Sequence, residues 1–147
     1  MHLIPARAGT PSVRRTDTFT GQVWADPIST ADPIVNMVAF TPRARTFWHR
    51  HEGGQLIVAT HGSGFVVGQN GRGGPVVAGQ SVWTSPGELH WHGAGPDSLL
   101  THVACSFGHT EWLHEVSEED YERALADASW VTDASGNDQY HERRPGA

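Results

Sequence analysis

From about residue 18 to residue 107 the chain is a succession of short apolar or alternating runs, each cut off by glycine, proline, asparagine or aspartate. That punctuation limits the fold more than any other feature. Runs covering residues 19–24, 33–40, 46–51, 55–59, 64–67, 74–77, 81–84 and 99–107 are too short for the helices of an α-domain, carry β-branched or aromatic side chains, and have the length of β-strands. The intervening Gln69-Asn70-Gly71, Ala78-Gly79-Gln80 and 93–97 segments have the residues of hairpins and loops. About eight strands suffice for an all-β jelly-roll barrel.

The pattern changes after Thr110. Trp112, Leu113, Val116, Tyr121 and Leu125 fall near helical spacing, and Ser117-x-x-Asp120 has the form of a capping box, so a short C-terminal helix from Glu118 is expected to pack on the barrel. The expected organisation is an N-terminal arm (1–17), one barrel (18–110), a helical segment (111–130) and a polar tail (131–147). A chain of 147 residues has room for one core of this kind.

Several function classes are excluded by inventory. There is no lysine, hence no Schiff-base nucleophile and no P-loop lysine. A formal charge of -6 without a basic block argues against nucleic acid and anionic membrane, so a small molecule is the expected partner. Cys105 is the only cysteine, the N-terminus lacks an apolar export segment, and no run approaches a membrane span, which together lead us to expect a cytoplasmic protein.

Chemistry concentrates in histidine. His49 and His51 are two residues apart, so on a strand both imidazoles leave one face with Cα atoms about 6.8 Å apart. His90 and His92 repeat the arrangement. Two such pairs on facing strands can converge on one metal ion, for which neutral imidazole is a common ligand. Of the other six histidines, His2, His61, His109, His114 and His141 read as hydrogen-bonded structural residues.

The surroundings of these pairs resemble the cupin superfamily. Its first motif, G-x5-H-x-H-x3or4-E-x6-G, is matched by His49, His51, Gln55 and Gly62, and its second, G-x5-P-x-G-x2-H-x3-N, by Gly79, Gly87 and His90. The departures are Arg43 for the first glycine, Gln55 for glutamate, Ser85 for proline and Ala94 for asparagine. The resemblance implies a cupin jelly-roll barrel, also described as a double-stranded β-helix. Gly62 and Gly64 are expected to flank a hairpin turn, and Pro86-Gly87 to make the turn that delivers His90.

A narrower similarity joins residues 44–51, 54–58, 85–94 and 101–104 to the bacterial cupin hydroxynitrile lyases. It implies one divalent ion per chain on His49, His51, Gln55 and His90, with manganese the family's metal and iron, zinc, nickel or cobalt as other candidates. It also implies His92 and His102 as catalytic residues beside the ion, and Asn36, Val38, Trp48 and Ser106 as substrate-pocket residues. Glutamine in place of glutamate leaves the ion its full charge and makes it a stronger Lewis acid. The implied reaction is cleavage of a cyanohydrin to a carbonyl compound and cyanide, with His92 as base and cyanide leaving toward His102. A non-catalytic small-molecule or metal-binding domain and a dioxygenase are the competing classes. Trp24, Trp112 and Trp130 lie outside the metal motifs and suggest a homodimer.

Overall fold

The computed structural model describes residues 1, 3–5, 10–69 and 71–127. These form twelve strands and one helix: β1 (Val13–Arg15), β2 (Phe19–Thr20), β3 (Val23–Ser29), β4 (Ile34–Phe40), β5 (Arg45–Thr46), β6 (His49–His51), β7 (Gln55–Gly68), β8 (Gly73–Val77), β9 (Ser81–Thr84), β10 (His90–Ala94), β11 (Leu100–Ser106), β12 (Thr110–Trp112) and α1 (Glu118–Ala126). All pairing is antiparallel. One face of the barrel runs β1-β3-β4-β11-β7-β9, and the other runs from β8 through β7 and β10 to β5 with β2, and to β6 with β12.

Strand β7 belongs to both faces, and this corrects the hairpin expected at Gly62 and Gly64. Its first half pairs with β9 and β11, its second half with β8 and β10. The two glycines mark the crossing. Gly62 has φ +73 opposite a register shift at Thr101/His102, and a Cβ there would lie 1.8 Å from the Leu99 carbonyl oxygen. A Cβ on Gly64 would lie 2.0 Å from the Gly93 carbonyl oxygen, so backbone runs where a side chain would stand.

The run expected at 46–51 is broken into β5 and β6 by a bend at Phe47-Trp48. The N-terminal arm is part of the sheet, since β1 pairs with β3 through Val13↔Ala25 and Arg15↔Val23. Residues 111 and 112, expected in the helical segment, instead join Thr110 in β12 against β6. The helix starts where the capping residues place it, with Ser117 Oγ accepting from Asp120 N at 3.0 Å and three acidic residues in its first turn. The polar tail and Trp130 lie outside the described residues.

Two apolar clusters hold the molecule. Val23, Phe40, Ile57, Ala59, Val66 and Leu100 fill the barrel below the histidines. Trp48, Trp91, Val116, Tyr121 and Ala124 form a second cluster under α1, where Tyr121 Oη donates to Ala94 O at 2.8 Å. Arg43, at the motif glycine position, keeps the left-handed backbone that glycine favours (φ 66), and its side chain pairs with Glu118 and Glu122 and stacks on Tyr121. Among the described residues no helix is long and apolar enough to cross a membrane.

Candidate metal centre

His49 and His90 are directly opposed across β6 and β10, and His51 lies two residues along β6 on the same face. The strand period therefore brings three imidazoles to one end of the barrel. Their candidate ligand atoms all lie within 4.8 Å of one another, and the side chains are almost fully buried. The Ser85–Glu88 turn supports them. Glu88 N donates to Ser85 O at 3.0 Å, Gly87 occupies the positive-φ position after Pro86, and Gly87 N donates to His51 O at 2.8 Å, joining the second motif to the first.

Each ring has its Nδ1 committed. His49 Nδ1 donates to Phe47 O at 2.9 Å, His90 Nδ1 donates to Glu88 O at 2.8 Å, and His51 Nδ1 lies 2.9 Å from Thr110 Oγ1. With the proton held on Nδ1 by a carbonyl, Nε2 of His49 and His90 presents a lone pair, as metal-bound histidines usually do. His51 Nε2 is buried without a partner. Burial pushes all three imidazoles below their ordinary range, His51 to about 4, with the neighbouring His90 adding to the effect at His49 and His51. They are neutral, as ligands must be.

Gln55 completes the set. Its Nε2 donates to Ser106 Oγ at 3.0 Å, which turns Oε1 toward His90 Nε2, also 3.0 Å away. Both facing atoms are acceptors, because the His90 proton is on Nδ1. Two lone pairs at that separation repel unless a cation lies between them. Two ligands about 2.1 Å from one ion and roughly at right angles are about 3.0 Å apart. The residues present thus fit a divalent ion held by His49, His51, His90 and Gln55.

A cavity of about 430 Å³ opens over this group. His92, Asn36, Val38 and Ser106 line it with His49, His51 and Gln55. His102 is not among its lining residues. It is fully buried one layer behind, with Nε2 3.0 Å from His92 Nδ1, which leaves Nε2 as the free ring nitrogen of His92. Burial, and then the neighbouring His102, holds the His92 pKa well below its ordinary value, and burial lowers that of His102 to about 4.

The expectation for Trp48 is corrected: it follows strand alternation to the face opposite His49 and packs in the cluster under α1, 6.4 Å from the His114 ring. Sequence reasoning missed the wall formed by residues 14–19, which bridge from β1 to β2 along the cavity, and missed Thr46, Thr110 and Trp112. The signal for β12 is the alternation of Thr110 and Trp112 around Glu111, which the apolar spacing toward the helix obscures.

No family model matches the chain. An (R)-mandelonitrile lyase from Granulicella tundricola is 40% identical over 115 residues, covering 73% of this chain and 88% of that protein. Among solved structures, a cupin-like protein from Thermotoga maritima has a TM-score of 0.71 at 39% identity, covering 75% of this chain and 90% of that one. A polyketide cyclase from Streptomyces resistomycificus, at 20% identity and TM-score 0.63 over 86% of this chain and 95% of that one, shares the fold alone.

Proposed function

The chain belongs to the cupin superfamily, among the relatives of the (R)-mandelonitrile lyase, and from that premise we propose that it is a metal-dependent lyase that cleaves a small 2-hydroxynitrile. The observation that carries the reading is the pairing of a neutral donor set, three imidazoles and one carboxamide, with a partnerless His92 Nε2 in the same cavity. A divalent ion held there, manganese in our reading, supplies Lewis acidity that lowers the pKa of an adjacent hydroxyl.

The protein's own residues do the rest. His92 Nε2 takes the hydroxyl proton, the bond between the carbinol carbon and the nitrile carbon breaks, its electron pair leaves with cyanide, and His92 returns the proton to give hydrogen cyanide. Burial makes His92 a weak base, suited to a hydroxyl already acidified. His102, behind His92, orients the imidazole through the 3.0 Å contact. Thr46 Oγ1 fixes the strand beneath it by accepting from His92 N at 3.1 Å.

The test is metal analysis of purified protein followed by cleavage of racemic mandelonitrile, read as aldehyde formation. Metal-loaded protein should release aldehyde and chelator-stripped protein should not. Stoichiometric metal with no aldehyde would refute the lyase and leave a metal-binding domain. We further propose a cytoplasmic homodimer, supported by the lone Cys105 and by Trp112, which is 40% exposed; a monomeric mass in light scattering at micromolar concentration would refute the dimer.

A further inference from the structure

The cavity over the histidines has an unbalanced charge. With Gln55 where the motif has glutamate, the four residues of the metal centre beneath it are neutral, and Asp17 is the only acid among the cavity's lining residues. Asp17 stands on the exposed rim, accepting from Thr16 Oγ1 at 3.1 Å. Against it stand Arg14 and Arg15 of the arm.

Arg15 is the informative one. It pairs in register with Val23, a core residue, and Val13 pairs with Ala25, which lines the cavity, so Arg15 shares the inward face of β1. It is half-buried, and among the described residues no carboxylate or carbonyl accepts from its guanidinium. The histidines come from the opposite face of the barrel, on β6 and β10. Asn36 on β4 also lines the cavity, but at the level of Pro27, four residues along β3 from the Val23 that faces Arg15. An arginine without a protein partner at one wall of the cavity is an anion-recognition point, and guanidinium suits a carboxylate in geometry as well as charge.

We propose that the substrate carries a carboxylate remote from its reacting hydroxyl, bound by Arg15, while the hydroxyl end lies at the histidines. This rests on the metal-dependent reading above and narrows its substrate class to small hydroxy compounds with a distal acid group. A cation site built from neutral ligands and an arginine without a protein partner in one cavity together favour an anionic occupant, because both attract negative charge.

The test is calorimetric titration of the metal-loaded full chain at low salt with malate and with 2-hydroxybutyrate. Both present the same α-hydroxy acid end, and only malate has a distal carboxylate. Malate should bind about tenfold more tightly or better, a difference of about 1.4 kcal/mol. In Arg15→Gln the preference should fall to within about twofold while 2-hydroxybutyrate affinity is unchanged, and Arg15→Lys should retain most of it. Equal affinity or no binding of either acid in the parent, or a preference that survives in Arg15→Gln, overturns the proposal. A parent that cleaves mandelonitrile yet shows no malate preference refutes the distal-acid site and keeps the lyase. Malate preference lost with Arg15, in a protein that releases no aldehyde from any hydroxynitrile, keeps the site and refutes the lyase.

Discussion

Ser106→Ala is the sharpest perturbation of the centre, because it removes no ligand and acts only through the hydrogen bond to Gln55. Ser106 and Gln55 are paired across β11 and β7, both almost fully buried, and the Ser106 hydroxyl accepts the one side-chain hydrogen bond that orients the amide. Removing it strands a buried N–H donor, at a cost of about 1–3 kcal/mol. The amide escapes by exchanging its ends, so that Nε2 donates to the His90 Nε2 lone pair 3.0 Å away. That relieves the metal-free protein and withdraws the oxygen ligand at once. Metal affinity should fall about 10–100-fold, the range for loss of a residue that orients a ligand. The assay is competition with a chromogenic chelator at fixed pH, with circular dichroism confirming the β fold. Gln55→Glu should move the other way, tightening metal binding because a carboxylate is the stronger ligand. Affinity within about twofold of the parent in Ser106→Ala would refute the chain of reasoning from hydroxyl to amide to ion.

His51→Ala should abolish stoichiometric metal while preserving the β circular dichroism; retained metal would remove His51 from the ligand set. His92→Ala should keep the ion and lose about a hundredfold or more of cyanohydrin turnover, the contribution of general-base proton transfer; metal loss would make His92 a ligand instead. The metal-free chain should lose thermal stability as pH falls from about 6.5 to about 4, because the unfolded chain takes up protons that the buried His51 and His102 refuse until about 4, and should be most stable above that window. A melting temperature flat across that range would contradict their burial as neutral imidazoles. Gly62→Ala should destabilise the fold by about 1–3 kcal/mol or more, by overpacking against the Leu99 carbonyl at a positive φ, measured as a lowered denaturant midpoint.

Which features are legible in the sequence follows from how far each signal reaches. Turn chemistry and strand alternation are local, so the barrel class, the Pro86-Gly87 turn and the Ser117 cap can be read from neighbouring residues. Motif spacing carries further, bringing His49, His51, Gln55 and His90 into one set across the intervening strands and loops only because a family pattern links them. The crossing of β7 between two faces is not legible. A glycine at a turn and a glycine where another backbone passes look alike in sequence, and only the Leu99 and Gly93 carbonyls distinguish Gly62 and Gly64 from hairpin residues.

Trp48 and Arg15 show the same limit from opposite sides. Alternation alone places Trp48 away from His49, so a pocket role for it conflicts with a local rule, and the local rule holds. Arg15 has no local signal at all: its inward face exists only because β1 adds to β3 beside Val23, a partner eight residues away through a turn. Ligands that a strand presents can be inferred from period two, whereas the opposite wall of a barrel depends on which strands become neighbours. The arm wall of this cavity is built by that second kind of contact, while the histidine side is built by the first. It follows that proteins sharing the histidine motifs can differ in substrate through residues no motif records, and Arg15 is where that idea is open to measurement in this chain.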